Sequence, residues 1–273
     1  MQRKTQTLFL MAVVLAAIAS GAGCDKLKAR DRLNKGVNAY KNAQFDQAIE
    51  YFKEAKDLDP SLTNAQLYLA TAYASMYVPG APSKENINNG NQAVAEFKSI
   101  LDGQPDNLTA MDGLGSILYN MGGSPFDADK LNESKTYHQK HIQLKPDDPE
   151  PYYWVGVIDW SLAFRANKEM RDTYNQSAKK TIKENEPMPP ALASQFNQKY
   201  GSVVDDGISN LQKAMTLKSE YDDAMAYLNL LYRQKADMET SKDARTADLQ
   251  QADDLVERVK AIKQKKANLT PSS

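Results

Sequence analysis

Apolar residues along most of the chain recur at the spacing of a helix. Ala48, Ile49, Phe52 and Ala55 stand at i, i+1, i+4 and i+7, one face of an amphipathic helix. That segment ends in Lys56-Asp57-Leu58-Asp59-Pro60, and the same kind of ending returns as Leu101-Asp102-Gly103-Gln104-Pro105 and Ile142-Gln143-Leu144-Lys145-Pro146. After each ending a second helical pattern begins, at Leu67, Ala70 and Tyr73, at Leu114, Gly115 and Leu118, and at Val155, Gly156 and Trp160. Proline lacks the N–H and clashes with the preceding turn, so each proline halts a helix. The recurring unit is predicted to be helix, turn, helix and proline stop, and the fold class all-α.

Self-similarity at a fixed period marks repeat architectures. The unit resembles the tetratricopeptide repeat, a helical hairpin of about 34 residues. The first unit carries Gly36, Tyr40, Ala48, Phe52, Ala55 and Pro60 at the small, aromatic and proline positions of that family. The second carries Leu69, Ala70, Tyr73, Ala93, Phe97 and Pro105, and the third Leu114, Gly115, Ser134 and Pro146. The fourth carries Tyr152, Val155, Gly156, Gly207, Leu211 and Ala214, with Ser219 where proline is expected; a fifth begins at Asp222 and degenerates after Leu228 and Tyr232. The resemblance implies an α-solenoid of stacked antiparallel helix pairs, a right-handed superhelix, over 24–267. Its repeats are expected at about 27–60, 63–105, 108–146, 149–219 and 222–267, with 268–273 a disordered tail.

The spacing between stops exceeds the repeat: 45 residues from Pro60 to Pro105, 41 to Pro146 and 73 to Ser219. Both helix signatures survive in each unit, so the extra residues are placed between the two helices of a repeat, on one edge of the array. Val78-Pro79-Gly80-Ala81-Pro82, Asn88-Asn89-Gly90 and Gly122-Gly123-Ser124-Pro125 are turn-forming and are expected there. In the fourth repeat Pro151 to Lys183 holds no interior proline, Glu186-Pro187-Met188-Pro189-Pro190 breaks the chain, and Leu192, Phe196, Val203 and Gly207 resume helical spacing. This predicts an overlong helical hairpin; the other reading is a disordered polar insert. Leu162, Phe164, Leu192 and Phe196 are expected to stay partly uncovered at a projecting tip. Leu249, Ala252, Leu255, Val256, Val259 and Ile262 form one stripe on a final helix that caps the array.

The first residues follow a different pattern. Arg3 and Lys4 precede an apolar run, Leu8–Ala19, and small residues Ser20-Gly21-Ala22-Gly23 close it. This is the layout of a secretory signal peptide over 1–23. The run is short against the ~20 apolar residues of a spanning helix, with an uncleaved anchor as the alternative. Ala22-Gly23-Cys24 resembles the end of a bacterial lipobox, although Gly21 stands where an aliphatic residue is usual. The resemblance implies lipidation of Cys24 and anchoring in the cell envelope facing the periplasm, on either membrane. Cleavage at Ala17-Ile18-Ala19 would leave a free thiol instead.

Composition narrows the chemistry. The chain balances 34 Lys and Arg against 35 Asp and Glu, and so lacks the basic excess of a nucleic-acid binder. One cysteine and two histidines leave little for a disulfide, a cysteine zinc site or a metal cluster. His138 and His141 sit at i, i+3, but at the positions of Phe52 and Ala55, which face a packed interior; no metal and no cofactor is predicted. Gly113-Leu114-Gly115 lies within a helical pattern and is no phosphate loop. No nucleophile–base pair supports an enzyme.

What remains is the surface. In tetratricopeptide arrays the outward faces of successive first helices line a concave groove that holds a partner segment. Carried over, that groove would include Leu33, Val37, Tyr40 and Lys41, then Asn64, Leu67 and Thr71. It would continue through Asp112, Ser116, Tyr119 and Asn120 to Tyr153, Val157, Trp160 and Arg233. Tyr40, Tyr119 and Trp160 can equally pack between neighbouring helices. The lysine and asparagine clamp of chaperone-binding members is absent, its positions being Leu33, Val37, Tyr68, Thr109 and Gly113. The expected function is a non-enzymatic interaction scaffold for envelope proteins or peptide segments, with the assembly of outer-membrane or secretion and pilus complexes as the setting the resemblance suggests. The alternative is a periplasmic receptor for a peptide or small molecule.

Overall fold

The structure, a computed structural model, describes residues 24–184 and 186–269. The apolar run Leu8–Ala19, the small residues before Cys24 and residues 270–273 lie outside that range. Cys24 itself is exposed at the start of the first helix. The described residues form helices α1 (24–41), α2 (Phe45–Leu58), α3 (Thr63–Met76), α4 (Lys84–Gly103), α5 (Leu108–Gly123) and α6 (Ala128–Leu144). Then follow α7 (Pro149–Ser177), α8 (Pro190–Leu217), α9 (Asp222–Met238) and α10 (Lys242–Leu269). No strand occurs among the described residues, and no described helix is long and apolar enough to cross a membrane.

The stops act as the sequence predicts. Asp59, Gln104, Lys145 and Lys218, the residues after α2, α4, α6 and α8, all have φ near −140° (−143°, −138°, −140° and −135°). This is the extended backbone that a following proline imposes. Each of the four donates its N–H to the carbonyl four residues back: Ala55, Ile100, His141 or Ala214. Ser219 lacks the proline ring, yet Lys218 holds the same conformation.

The chain divides within α5 into two compact units, one ending at Ile117 and one beginning at Leu118. In the first unit α2 packs on α3 and α3 on α4. Its core holds Ala48, Phe52, Ala55, Leu69, Ala70, Phe97 and Ile100, all at most 3% exposed. Glycine makes room for the rings. A Cβ on Gly36 would stand 2.4 Å from Phe52 Cε1, and one on Gly113 would stand 2.3 Å from Phe97 Cζ. The half-buried Glu96 carboxylate ties α4 to the helices before it, accepting from Lys56 Nζ at 2.7 Å and Gln66 Nε2 at 2.9 Å.

In the second unit each helix from α6 to α10 packs on the next, and α7 also packs on α9. The glycine rule recurs: a Cβ on Gly156 would lie 2.4 Å from Leu211 Cγ, and one on Gly207 2.8 Å from Leu231 Cδ1. α10 closes the unit with Ala252 and Leu255 buried and with Val259 and Ile262 packed against the core.

Two expectations are corrected and one alternative is set aside. Asn88-Asn89-Gly90 is not a turn but lies inside α4. Ser83 caps that helix early, accepting from Asn86 N. The Asn86 side chain then closes the loop, accepting from Val78 N at 2.7 Å and donating to Val78 O and Ala81 O at 2.9 Å. Residues Arg165–Ser177 are not a polar insert but complete α7. Helices α7 and α8 reach 29 and 28 residues against 14 for α2 and α3, so the overlong hairpin is present. Of the four residues expected to stay partly uncovered, Leu162 and Leu192 are half-buried and Phe164 is exposed, but Phe196 is not. Ala163, Ala166, Met188, Ala193 and Phe196 belong to the buried core of the second unit, and Phe196 is fully buried. Much of the extension is therefore structural core, with Phe164 left exposed on it.

Truncating Phe196 to alanine should cost about 3–5 kcal/mol, the usual loss for a buried phenylalanine. Urea unfolding followed by circular dichroism measures it. A loss below about 1 kcal/mol would mean that the hairpin's outer part packs on nothing.

Candidate functional site

α7 carries a stripe at every fourth position: Val155, Asp159, Ala163, Asn167 and Arg171. All five are buried, so three polar side chains are carried inward by the geometry of one helix face. Arg171, only 4% exposed, spends its guanidinium on four partners. Nε donates to Asn167 Oδ1 at 2.7 Å, Nη1 to the carbonyls of Lys183 and Glu186 at 2.9 Å, and Nη2 pairs with Asp237 Oδ2 on α9 at 2.8 Å. Asn167 Nδ2 donates to the same carboxylate at 3.0 Å. Asn175 makes a two-way pair with the backbone of Ile182, accepting at 2.8 Å and donating at 2.9 Å. The crossover between α7 and α8 is thus fastened along α7, and α7 to α9.

The fastened crossover forms one side of a groove of about 710 Å³. Trp160 and Phe164 of α7 line it, with Leu230, Arg233 and Gln234 of α9 opposite and Arg245 and Leu249 of α10 at the end. The Trp160 and Phe164 rings stack at 5.3 Å between centroids, and Phe164 is 36% exposed. A second cavity of about 540 Å³ lies between the outer parts of α7 and α8, lined by Met170, Tyr174, Leu192 and Tyr200.

Other polar groups inside this unit do structural work. Lys135 of α6 donates at 2.7 Å to both Asp159 of α7 and Asp206 of α8. Burial pushes the Asp159 carboxyl up to about 7 against the pull of Lys135. His138 is fully buried and stacks on Trp154 at 5.8 Å with 11° between planes. Burial, with the charge of His141 second, pushes His138 down to about 4. His141 is buried with Nε2 at 3.6 Å from the Asp148 carboxylate. Both histidines are packing residues, as their register predicts. Among the described residues no group of three or more His, Cys, Asp and Glu could hold a metal ion.

The expected groove residues divide by unit. In the first, Lys41 and Asn64 are exposed while Val37, Tyr40, Leu67, Thr71 and Asp112 are half-buried. Tyr40 is engaged within the unit, edge-on to Phe45 and with its hydroxyl 2.8 Å from Ser75 Oγ; Thr71 donates to Leu67 O in its own helix. In the second unit Asn120 and Arg233 are exposed, and Tyr119, Tyr153 and Trp160 are half-buried. Val157 is corrected: at 1% exposure it belongs to the core and can meet no partner. α7 packs against α6, α8 and α9, so Val155, Val157 and Ile158, which fall on different sides of the helix, are all buried. Tyr119 is edge-on to Trp154, and Tyr153 packs among Trp154, Tyr221 and Tyr227. Trp160 also meets Tyr227, so its ring is fixed in place while one side lines the groove. Arg171, Asn167, Asp237, Gln234 and Arg245 were not expected at a site. Their signal was polar residues falling on a helix's apolar stripe, legible for α7 alone.

Neither protein-family models nor the curated proteins give a match to this sequence. Solved structures do. A crystal structure of MamA aligns with a TM-score of 0.56 at 16% identity over 90% of this chain and 97% of that one. MamA from Desulfovibrio magneticus RS-1 aligns at 0.55 and 16% identity over 87% and 96%. YrrB, described as a TPR protein with an unusual peptide-binding site, aligns at 0.50 and 14% over 85% and 90%. The fold is that of a tetratricopeptide-repeat protein. Within that fold the small column Ala48, Ala93, Ser134 and Gly207 and the large column Phe52, Phe97, His138 and Leu211 keep the tetratricopeptide register. The long hairpin and the groove beside it are built onto that register in the fourth and fifth repeats.

Two outcomes follow. Arg171→Leu leaves the Asp237 carboxylate half-stranded and should cost about 3–5 kcal/mol, the loss for breaking a buried pair. Hydrogen exchange at 178–184 should accelerate; unchanged protection there would show that Arg171 does not hold the crossover. His138 contributes stability that is complete above pH 6.5 and lost as pH falls through about 4, a contribution on the order of 3 kcal/mol. Asp159 acts oppositely, its contribution complete below pH 3.8 and lost as pH rises through about 7. His138→Phe should therefore make the protein gain stability from pH 7 to pH 4.5 relative to the parent, read as melting temperature at both values.

Proposed function

We propose that this chain is a non-enzymatic interaction module, exported and anchored through lipid on Cys24, that holds a partner protein of the cell envelope against its repeats. The observation that carries the interaction is the groove beside Trp160 and Phe164. Two stacked rings line it beside a crossover bonded to Arg171 and Asn175, and Phe164 is exposed. Aromatic side chains and arginine are the residue types that dominate interface energetics once a partner covers them. A groove whose crossover is already bonded in place loses little entropy when it is filled. YrrB, a protein of similar fold, is described as having a peptide-binding site, which supports the same use of repeats here.

Export rests on the sequence before Cys24, and anchoring on the position of Cys24. Its exposure at the start of α1 leaves the sulfur accessible for modification. Assembly of outer-membrane or secretion and pilus complexes is the setting that suits such a scaffold. A receptor for a peptide or small molecule is the second reading, favoured by the groove's 710 Å³, within the range of about 300–1,000 Å³ usual for ligand pockets.

Cys24→Ser should move the protein from the membrane to the soluble periplasmic fraction. Membrane retention of the variant with an intact N-terminus would refute lipid anchoring and leave Leu8–Ala19 as the anchor. Affinity capture from solubilised envelope should retain a partner on the full chain, and failure to retain one above background counts against a scaffold.

A further inference from the structure

The groove between α7, α9 and α10 has a charge balance that its own residues leave incomplete. Asp237 is neutralised by Arg171 at 2.8 Å and Arg233 by Asp253 at 2.7 Å. Three charged residues of the lining then remain: Arg245, Lys183 and Glu184. Two are cationic and one is anionic. Arg245 Nε is buried and finds no acceptor among the described residues. A guanidinium donor taken out of water without an acceptor is costly, and a carboxylate is the partner its planar fork fits best. Across from it Gln234 Oε1 is also buried without a donor. The groove thus holds one unmet donor on α10 and one unmet amide on α9, flanking an open aromatic wall.

We propose that this groove is the binding site for an acidic, extended segment of a partner protein, with a carboxylate at Arg245 and an adjacent apolar side chain on the Trp160–Phe164 wall. This deepens the interaction reading above and rests on it. Lys183, on the fastened crossover, adds a second positive charge at the opposite rim. Gln234 Oε1 takes a main-chain N–H of the segment, which satisfies an oxygen that no described residue donates to. A smaller cavity of about 170 Å³ shares Phe164, Glu184, Gln234 and Asp237 with the groove and continues it along α7. The occupant therefore lies along the groove as a strand of a few residues and not as a compact ligand. The site rests on the fourth repeat's long hairpin, whose added length a regular repeat does not contain, and on α9 and α10 beside it.

The test uses the full chain and end-blocked peptides of glycine, phenylalanine and aspartate, with matched peptides carrying asparagine or lysine for aspartate. Calorimetry gives the affinity, and tryptophan emission reports on Trp160. The aspartate peptide should bind at least tenfold more tightly than the asparagine peptide, with the lysine peptide weakest. Added salt should narrow the difference. Arg245→Gln should lower affinity for the aspartate peptide about tenfold, Arg245→Lys should restore part of it, and Phe164→Ser should weaken both peptides alike. Lys56→Gln, in the other unit, should change nothing. Circular dichroism checks each variant's fold, and the peptide comparison on the unaltered chain stands should Arg245→Gln misfold. Equal affinity for the aspartate and asparagine peptides overturns the proposal, as does a folded Arg245→Gln chain that binds normally. In envelope capture, an Arg245→Gln chain that keeps the parent's partner overturns this groove while the interaction reading stands. A parent chain that retains no partner overturns both.

Discussion

Everything in both units depends on how closely paired helices can approach. At Gly36 and Gly113 the missing Cβ leaves space that a phenylalanine ring fills, and at Gly156 and Gly207 a leucine does the same. Contacts of 2.3 to 2.8 Å to a hypothetical Cβ mean that no other residue fits without moving a buried ring or branch. Close approach fixes the spacing of each pair, and the extended residue after each second helix fixes where the next helix begins. Thr63, Leu108, Pro149 and Asp222 each open a helix at the third residue past Pro60, Pro105, Pro146 or Ser219. A repeat protein needs little more than these two rules, since each repeat buries its face on its neighbours.

The large-residue column tolerates His138 where Phe52 and Phe97 stand in the first two repeats. Its ring keeps the flat shape and stacks on Trp154, but burial forces it to remain neutral. Near it, Asp159 is buried with the opposite preference and is held by Lys135. The two groups bias the fold in opposite directions across mildly acidic pH, so their effects largely offset each other. Such a buried ion network contributes less to stability than to register, because the Coulomb gain is spent on desolvation. Here it joins α6, α7 and α8 at one point.

The long hairpin shows how an insertion becomes a site. Extending α7 and α8 exposes more helix, and the extension is stabilised only because α9 receives it through Asp237 and the core around Phe196. Arg171 then draws the crossover down onto α7. A wall, a rim and a floor result, and the aromatic pair Trp160 and Phe164 is left facing the opening. Most aromatics of the second unit, Tyr119 and Tyr153 among them, are committed to each other, which is why few are offered to a partner.

The helical class, the repeat register, the stops at Pro60, Pro105 and Pro146 and the long hairpin were legible from the sequence. Each is written in local signals: apolar period, proline, and small residues in a fixed column. The burial of His138 and His141 was legible for the same reason, through register with Phe52 and Ala55. Other features were decided only in three dimensions. Asn89 and Gly90 have turn propensity, yet they sit in α4 because Ser83 starts the helix early and Asn86 closes the loop before it. Val157 looks like an outward residue of its helix, but α7 is covered on several sides and the residue is core. Asp237, Gln234 and Arg245 come from α9 and α10 and reach α7 only after folding, so no spacing along the chain announces them. Periodicity states which face of a helix is buried; what covers that face, and which polar groups are trapped there, depends on partners distant in sequence.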